Sequence, residues 1–589
     1  MRSKLSAAAV FGLVLWALLA RASVAAETLP PRAQWIPQDA VIVMEVSKPK
    51  ALLDLALSDK VKSLVTSSAP WKQQTSQPGF QQFQQVVRYV EATLNTDWET
   101  ALRKLLGGGM TAATLPGGAS VLVVDAQDEK MLQKLNEFVV GVAKSEAAKR
   151  GRGEAVASKE HRGVTVWTLG GQDAHAIIGT RLILANRQAA LDAVLDQRAN
   201  PQGKSIATLP AYREAAKAAG RAPSGCAAFM YVNLEVLKRL PQVQKALDRG
   251  ENPMAALLFG GIQDALRGAN WLAMGLRVEG QTISLAAVTG GKPVDPSGPA
   301  GFTWPARDKG AMPDLAIPGR LAGISLYRDL HAFYAAKDKL FPERTSGLIF
   351  FENMMGIFFS GRDFTEEVLG QLDPEIRFVV AQQQYDPAVG TPTLQIPAFA
   401  AIFRLKDPKK FAEVAEEAWQ KAVGLVNITS GQKALPGLII DRPTHGDTRL
   451  SVAHFSAANE KDRKHLDVRY NFRPALAQWG DYLILSSAEG LTRDLIDALK
   501  KEAAQSAKAL AQTHSLVDID LSGIASALAA NRDAMIRQNM VDKGASRQQA
   551  ETNIDLLIAG LKSLGQATVE MGSRDGRPEA SVSLKLNLQ

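Results

Sequence analysis

The strongest constraint on this chain is a stretch near its middle, Gly290 to Gly319 (GGKPVDPSGPAGFTWPARDKGAMPDLAIPG), which holds six glycines and six prolines in thirty residues. Each proline fixes φ and removes a backbone donor, and each glycine weakens a helix or a strand. A stretch of this composition reads as a connector. The chain of 589 residues is also too long for one hydrophobic core. The expected division is therefore a first module over 30–290, a Gly/Pro-rich linker over 291–314 and a second module over 315–589.

The same order of elements is laid down on both sides of the connector. AIPGRLAGISLYRDLHAFYAA from Ala316 echoes the strand-helix unit that begins at Trp35. TDWETALRKLL at Thr96 is echoed by RDFTEEVLGQL at Arg362, and ASVLVVDAQDEKMLQKLNEFV at Ala119 by FAAIFRLKDPKKFAEVAEEAW at Phe399. GTRLILANRQAALDAVL at Gly179 is echoed by GDYLILSSAEGLTRDLIDAL at Gly480, and FMYVNLEVL at Phe229 by LVDIDLSGI at Leu516, where Asp520 takes the helix-capping place of Asn233. A hairpin turning at Glu279 and Gly280 is matched by one turning at Arg574 to Gly576. Six echoes in one order predict a duplication. Long helices mixed with short strands, ending in an antiparallel hairpin, predict an α+β fold of two tandem homologous modules. Each is expected to be a largely antiparallel sheet with helices packed mainly on one face.

The first 26 residues stand apart. Arg2 and Lys4 precede a 14-residue apolar run, Ala7 to Ala20, and Ser23 to Ala26 supplies a small-residue exit. That pattern predicts a cleaved secretory signal and an exported protein, periplasmic or extracellular. Without residues 1–26 the formal charge falls from +8 to +5, since Arg2, Lys4 and Arg21 leave and no acid does. Acids and bases are well mixed, and no basic stripe is interleaved with aromatics, so nucleic acid is not an expected partner. The densest basic stretch, Lys144 to Arg162, reads as a solvated loop. The single cysteine, Cys226, sits in an apolar strand-like run and reads as a buried small side chain. No later window reads as transmembrane.

The segments IPQDAVIVMEVSKPKALLD (Ile36 to Asp54), GVTVWTL (Gly163 to Leu169), GTRLILAN (Gly179 to Asn186) and LPAYREA (Leu209 to Ala215) resemble a broad group of exported bacterial proteins of unknown function, found among planctomycetes and cyanobacteria. The resemblance covers both halves, the second more loosely, and implies two tandem copies. It brings no reaction, cofactor or catalytic residue with it.

Chemistry is sparse. The seven histidines, His161, His175, His331, His445, His454, His465 and His514, form no HExxH or paired motif. The nearest cluster is His445, Asp447, His454, His465 and Asp467, which pairing of Thr448–Ser456 with His465–Phe472 would draw together. Ser47 and Lys50 have SxxK spacing, but no SDN or KTG partner follows, and Ser47 is expected to cap the next helix. The triple glycine Gly107 to Gly109 ends a helix and is not followed by a lysine-serine pair, so it reads as a stop and not as a phosphate cradle. No catalytic, cofactor or metal residue is nominated, and no cofactor is expected.

One segment departs from its echo. Where the first half has the glutamine-backed helix Phe80 to Leu94, the second has Leu348 to Phe359, interrupted only by Glu352, Asn353 and Gly356. A helix apolar nearly all round must be covered by something. Phe350, Phe351, Met354, Met355, Phe358 and Phe359 are therefore the candidate contacts for a groove, an envelope protein, or a lipid or other apolar ligand. The expected function is non-catalytic binding or envelope association. The alternatives are an exported hydrolase built on carboxylates or on the His454/His465 region, and a purely structural envelope component that buries Leu348 to Phe359.

Overall fold

The computed structural model describes residues 30–587 apart from 68–70, 72–73, 152–154, 201–202, 221–224, 248–251, 292, 294, 296–300, 342–344, 458–459 and 461. The expected signal segment lies outside the described residues. The chain divides into two compact units, Met1–Ala246 with Ala269–Gly291, and Leu247–Gly268 with Lys292–Gln589. Each unit is mixed α+β, built on a large antiparallel sheet.

In the first unit the strands are β1 (Ile42–Val46), β2 (Met110–Thr114), β3 (Ser120–Asp125), β4 (Val156–His161), β5 (Val164–Leu169), β6 (Asp173–Ile178), β7 (Arg181–Ala185), β8 (Ala228–Asn233), β9 (Trp271–Glu279) and β10 (Thr282–Thr289). They pair antiparallel in the order β4-β5-β6-β7-β3-β2-β1-β8-β9-β10. Along β1, β8, β9 and β10 helices lie to one side, where Val43, Phe229, Tyr231, Trp271 and Val288 join one core with the helix Pro210–Ala218. On the other side Met44 and Leu285 stay exposed. At β3 and β7 a second layer is added. Val121, Val123, Ile183 and Ala185 face the first core, whereas Val124, Leu182 and Leu184 pack with Leu132, Leu135 and Val139 of the long helix Glu129–Lys149. Side chains alternate across a strand, so these two sets lie on opposite faces.

The second unit contains β11 (Arg320–Tyr327), β12 (Leu372–Ala381), β13 (Ala398–Leu405), β14 (Ile439–Asp441), β15 (Thr444–His445), β16 (Thr448–His454), β17 (Ala475–Trp479), β18 (Tyr482–Ser486), β19 (Thr513–Asp520), β20 (Gln566–Arg574) and β21 (Arg577–Lys585). Apart from the two-residue β15 beside β16, they pair antiparallel in the order β14-β16-β17-β18-β13-β12-β11-β19-β20-β21. Strand for strand, this is the pairing order of the first unit. The local devices recur as well. Asp97, Asp128 and Asn233 accept from Thr100, Met131 and Val236 amides at helix starts. Asp363, Asp407 and Asp520 do the same for Glu366, Lys410 and Gly523. The hairpin glycines Gly179 and Gly480 sit at φ +56° and +54°, and Gly280 and Gly576 at +59° and +76°. Such angles suit glycine because it has no Cβ to clash.

Three local expectations are corrected. Ser47 does not cap its helix: its hydroxyl donates to the Cys226 carbonyl at 3.3 Å, and Pro49 presets the first turn without a side-chain cap. The stretch from Lys144 to Arg162 is not all loop, because the helix runs to Lys149 and β4 begins at Val156, with Ala157 to Glu160 all exposed. The Gly/Pro stretch is a connector only in part. Phe302, Trp304, Ala311, Met312 and Leu315 are buried in the second unit, where Leu315 joins a core with Val379, Ile402 and Leu495. Backbone bonds from the Ala311 amide to the Thr513 carbonyl and from the Leu510 amide to the Ala311 carbonyl replace those its prolines cannot make. The helix Pro253–Gly268 also belongs to this second unit. It is held there by Arg328, which is 1% exposed and donates to the Leu257 and Leu258 carbonyls at 2.8 and 3.0 Å.

Candidate functional site

The segment singled out for its composition forms the helix Thr345–Phe358 in the second unit. Its inner face is set by spacing: Leu348, Met355 and Phe359 pack against a core that includes Tyr334, Phe364, Phe411, Trp419 and Val423. Phe364 is the hub, with Phe351 edge-on at 5.7 Å and Tyr334 at 5.3 Å. The Tyr334 hydroxyl donates to the Leu348 carbonyl at 3.3 Å. Ser360 and Gly361, both at positive φ, stop the helix. Just beyond, Arg362 donates to the Phe359 carbonyl at 3.0 Å and to Glu417 of the helix Pro408–Gln432 at 3.1 Å. Hydrogen bonds from Ser360, Lys421 and Arg362 hold the Glu417 carboxyl down to about 2.

The outer face is left to solvent. Phe350 is 72% and Ile357 68% exposed, and Ile349 and Met354 are exposed beside them. Positions 350, 354 and 357 are four and three residues apart, so they form one stripe. Glu352 is the helix's only charged residue, and it lies 3.9 Å from Lys337. The partner helix Pro408–Gln432 adds a second apolar set. It carries no charge between Lys421 and Gln432. Leu425, Val426 and Ile428 on it, Leu435 just after it, and Ile439 and Ile440 of β14 are all exposed. Asn427 pins the returning chain by bonding both the amide and the carbonyl of Leu438, at 2.6 and 3.0 Å.

Of the six candidate contacts, Phe350, Phe351 and Met354 are exposed, whereas Met355, Phe358 and Phe359 are half-buried. Phe351, although exposed, lies on the row of Met355 and Phe359 and reaches the inner hub Phe364. Ile349, Ile357 and the Leu425–Ile440 set were not foreseen. The signal for Ile357 was its spacing from Phe350. For the Leu425–Ile440 set it was the uncharged run GLVNITSG.

The histidine cluster does not assemble. The segments Thr448–Ser456 and His465–Phe472 are not paired, since β16 lies between β14 and β17 and residues Val468–Asn471 form a 3-10 turn. His454 bonds Asp441 at 2.8 Å, His465 bonds Asp462 at 2.9 Å and His445 bonds Asp497 at 2.8 Å, each with its own carboxylate. Among the described residues no group of three or more His, Cys, Asp or Glu is placed to hold a metal ion. Cys226 is buried, and His175 lies in β6, not beside it in sequence or strand. No described helix is long and apolar enough to cross a membrane.

No protein-family model and no curated protein matches the chain. Among solved structures, crystal form I of TP0453 matches at 9% identity and a TM-score of 0.23, covering 46% of this chain and 82% of that one. Form III gives the same identity and TM-score over 46% and 84%, and form IV gives 10% and 0.23 over 44% and 81%.

Proposed function

We propose that this is an exported, non-catalytic binding protein that associates with the cell envelope. Its contact is the outer face of the Thr345–Phe358 helix, laid into the interfacial region of a membrane surface. The observation that carries the reading is the exposure of Phe350 and Ile357 on a helix whose opposite face is firmly packed. Their positions are fixed by the core behind them, and the helix packed against it adds further exposed apolar side chains over Leu425–Ile428, in a run that carries no charge. Exposed apolar groups gathered in this way mark interaction surfaces. The helix has 14 residues, which suits lying in the interface plane and is too few to span the membrane. The excess of basic residues favours an anionic surface.

The matching strand orders, caps and hairpin glycines support a tandem duplication as the origin of the two units, with the second copy specialised. In place of the glutamine-backed helix Pro78–Leu94 it carries Thr345–Phe358. Vesicle flotation tests the functional reading. Reburying two side chains that are roughly 70% exposed is worth about 3 kcal/mol together, or about a hundredfold in partitioning. The doubly substituted chain, Phe350→Ser with Ile357→Ser, keeps the inner face and is expected to fold while losing that factor. Undiminished flotation of the folded variant overturns the proposal.

A further inference from the structure

A cavity of about 590 Å3 opens in the second unit at the tip of β19, β20 and β21, far in sequence from the apolar helix. On β20 the residues Glu570, Gly572 and Arg574 share a face, and opposite them on β21 stand Ser581, Glu579 and Arg577. Gly572 lets the Gln512–Thr513 backbone close in on the centre of that face, where a Cβ would come within 2.4 Å of the Gln512 carbonyl oxygen. On its other side the β19–β20 register shifts between Thr513 and Ser515, and Gln512 sits at φ +62°. The bulge falls beside Gln512 and Thr513, which line the cavity. Asp575 and Gly576, both at positive φ, close the hairpin tightly.

The lining is polar and bears both charges. Glu570, Asp575 and Glu579 face Arg307 and Arg574, with Thr513, Ser573 and Ser581 among them. Thr513 donates to Glu570 at 2.9 Å. Arg574 pairs with Glu579 at 2.9 Å, but the arginine is 74% exposed, so the pair is weak and readily exchanged for a ligand's own charges. No hydrogen bond or ion pair joins Arg307 to another described residue.

A ligand of one sign would be repelled by the like-charged part of the lining. An apolar ligand would find little to cover beyond Ala511. We propose that this cavity is a binding site for a small zwitterion, a free amino acid or short peptide. Its ammonium would be taken by Glu570 and Glu579 and its carboxylate by Arg574 and Arg307. Planar guanidinium forks suit a carboxylate, and the volume lies in the range of small-ligand sites.

Calorimetry on the full chain tests this with a panel of free amino acids and dipeptides, their N-acetylated and C-amidated forms, and glycerophosphoethanolamine. The proposal expects at least one unblocked member to bind. Each single block should then weaken it about ten- to a hundredfold, the loss of one charge-assisted contact. Glu570→Gln and Arg574→Ala should reproduce those losses separately, and Ser581→Tyr, which fills the cavity from an already partly exposed strand position, should abolish binding. Absence of binding across the panel overturns the proposal. So does equal binding of blocked and unblocked forms, binding of glycerophosphoethanolamine alone, or full binding by folded Ser581→Tyr.

Discussion

Arg328 carries a buried charge that no described carboxylate neutralises, and its removal is the most informative perturbation of the fold. The guanidinium donates to Leu257 O at 2.8 Å, Leu258 O at 3.0 Å, Tyr327 O at 2.7 Å, His514 O at 2.8 Å and Ser515 Oγ at 2.9 Å. Burial pulls its pKa down to about 10. A planar fork reaches the helix Pro253–Gly268 with one edge and β19 with the other. A lysine ammonium is a single point and cannot serve both. Arg328→Lys keeps the charge but forfeits at least two of the five bonds, at about 1.5–3 kcal/mol each for bonds to a charged group, so a loss of about 3–6 kcal/mol is expected. Arg328→Met also removes the cost of burying the charge, so its loss should be smaller, about 2–4 kcal/mol. Hydrogen exchange reads the effect where it arises. Amides of residues 253–268 should lose protection first and most, before those of the first unit's strands. A lysine variant with wild-type protection there, or a methionine variant less stable than the lysine one, would refute the reasoning.

Three further outcomes follow from the same structure. Gly261 lies on that helix where a Cβ would come within 2.8 Å of Thr303 Cγ2 and 3.3 Å of the Trp304 ring, so Gly261→Ala should destabilise the second unit by about 1–3 kcal/mol in urea melts despite its better helix propensity. Burial pushes His175 down to about 4, and burial with the neighbouring Arg328 charge pushes His514 down to about 3. The unfolded chain therefore binds more protons than the folded one from about pH 6.5 down to those values. Stability should be complete above about pH 6.5 and fall by about 1.4 kcal/mol per pH unit per histidine below it. His175→Leu should flatten the first unit's share of that slope, and an unchanged melt-versus-pH curve would count against it. Removing a cap, as in Asp128→Ala or Asp407→Ala, should cost about 1 kcal/mol in either unit, measured by the same melts.

Local chemistry was the legible part of the sequence. Asn233 and Asp520 read correctly as caps because one residue decides each, and both hairpins were found, although Glu279 and Arg574, read as turn residues, end β9 and β20 and the turns are Gly280–Gln281 and Asp575–Gly576. The strands β2 and β12 escaped notice. MTAAT has little apolar contrast, and LDPEIRFVVA contains a proline and three charges. The burial of Phe302, Trp304 and Leu315 was not legible either, since glycine and proline report backbone freedom and not what the intervening side chains meet. Nor was Arg328 foreseen, because an arginine is ordinarily a surface residue and four of its five acceptors come from two distant segments, Leu257–Leu258 and His514–Ser515. At the candidate site, composition located the helix. Which half of it is covered depends on Phe364, Phe411 and Trp419, whose placement is tertiary.

The most direct test of the envelope contact is a polarity-sensitive fluorophore at Ile357→Cys, read with and without phosphatidylglycerol-containing vesicles. Cys226 is 3% exposed and leaves no competing surface thiol. A second label at Val541→Cys, 79% exposed on another helix of the same unit, serves as control. The account predicts a blue shift at 357 on adding vesicles and none at 541. Unshifted emission at 357, or an equal shift at both positions, would contradict it.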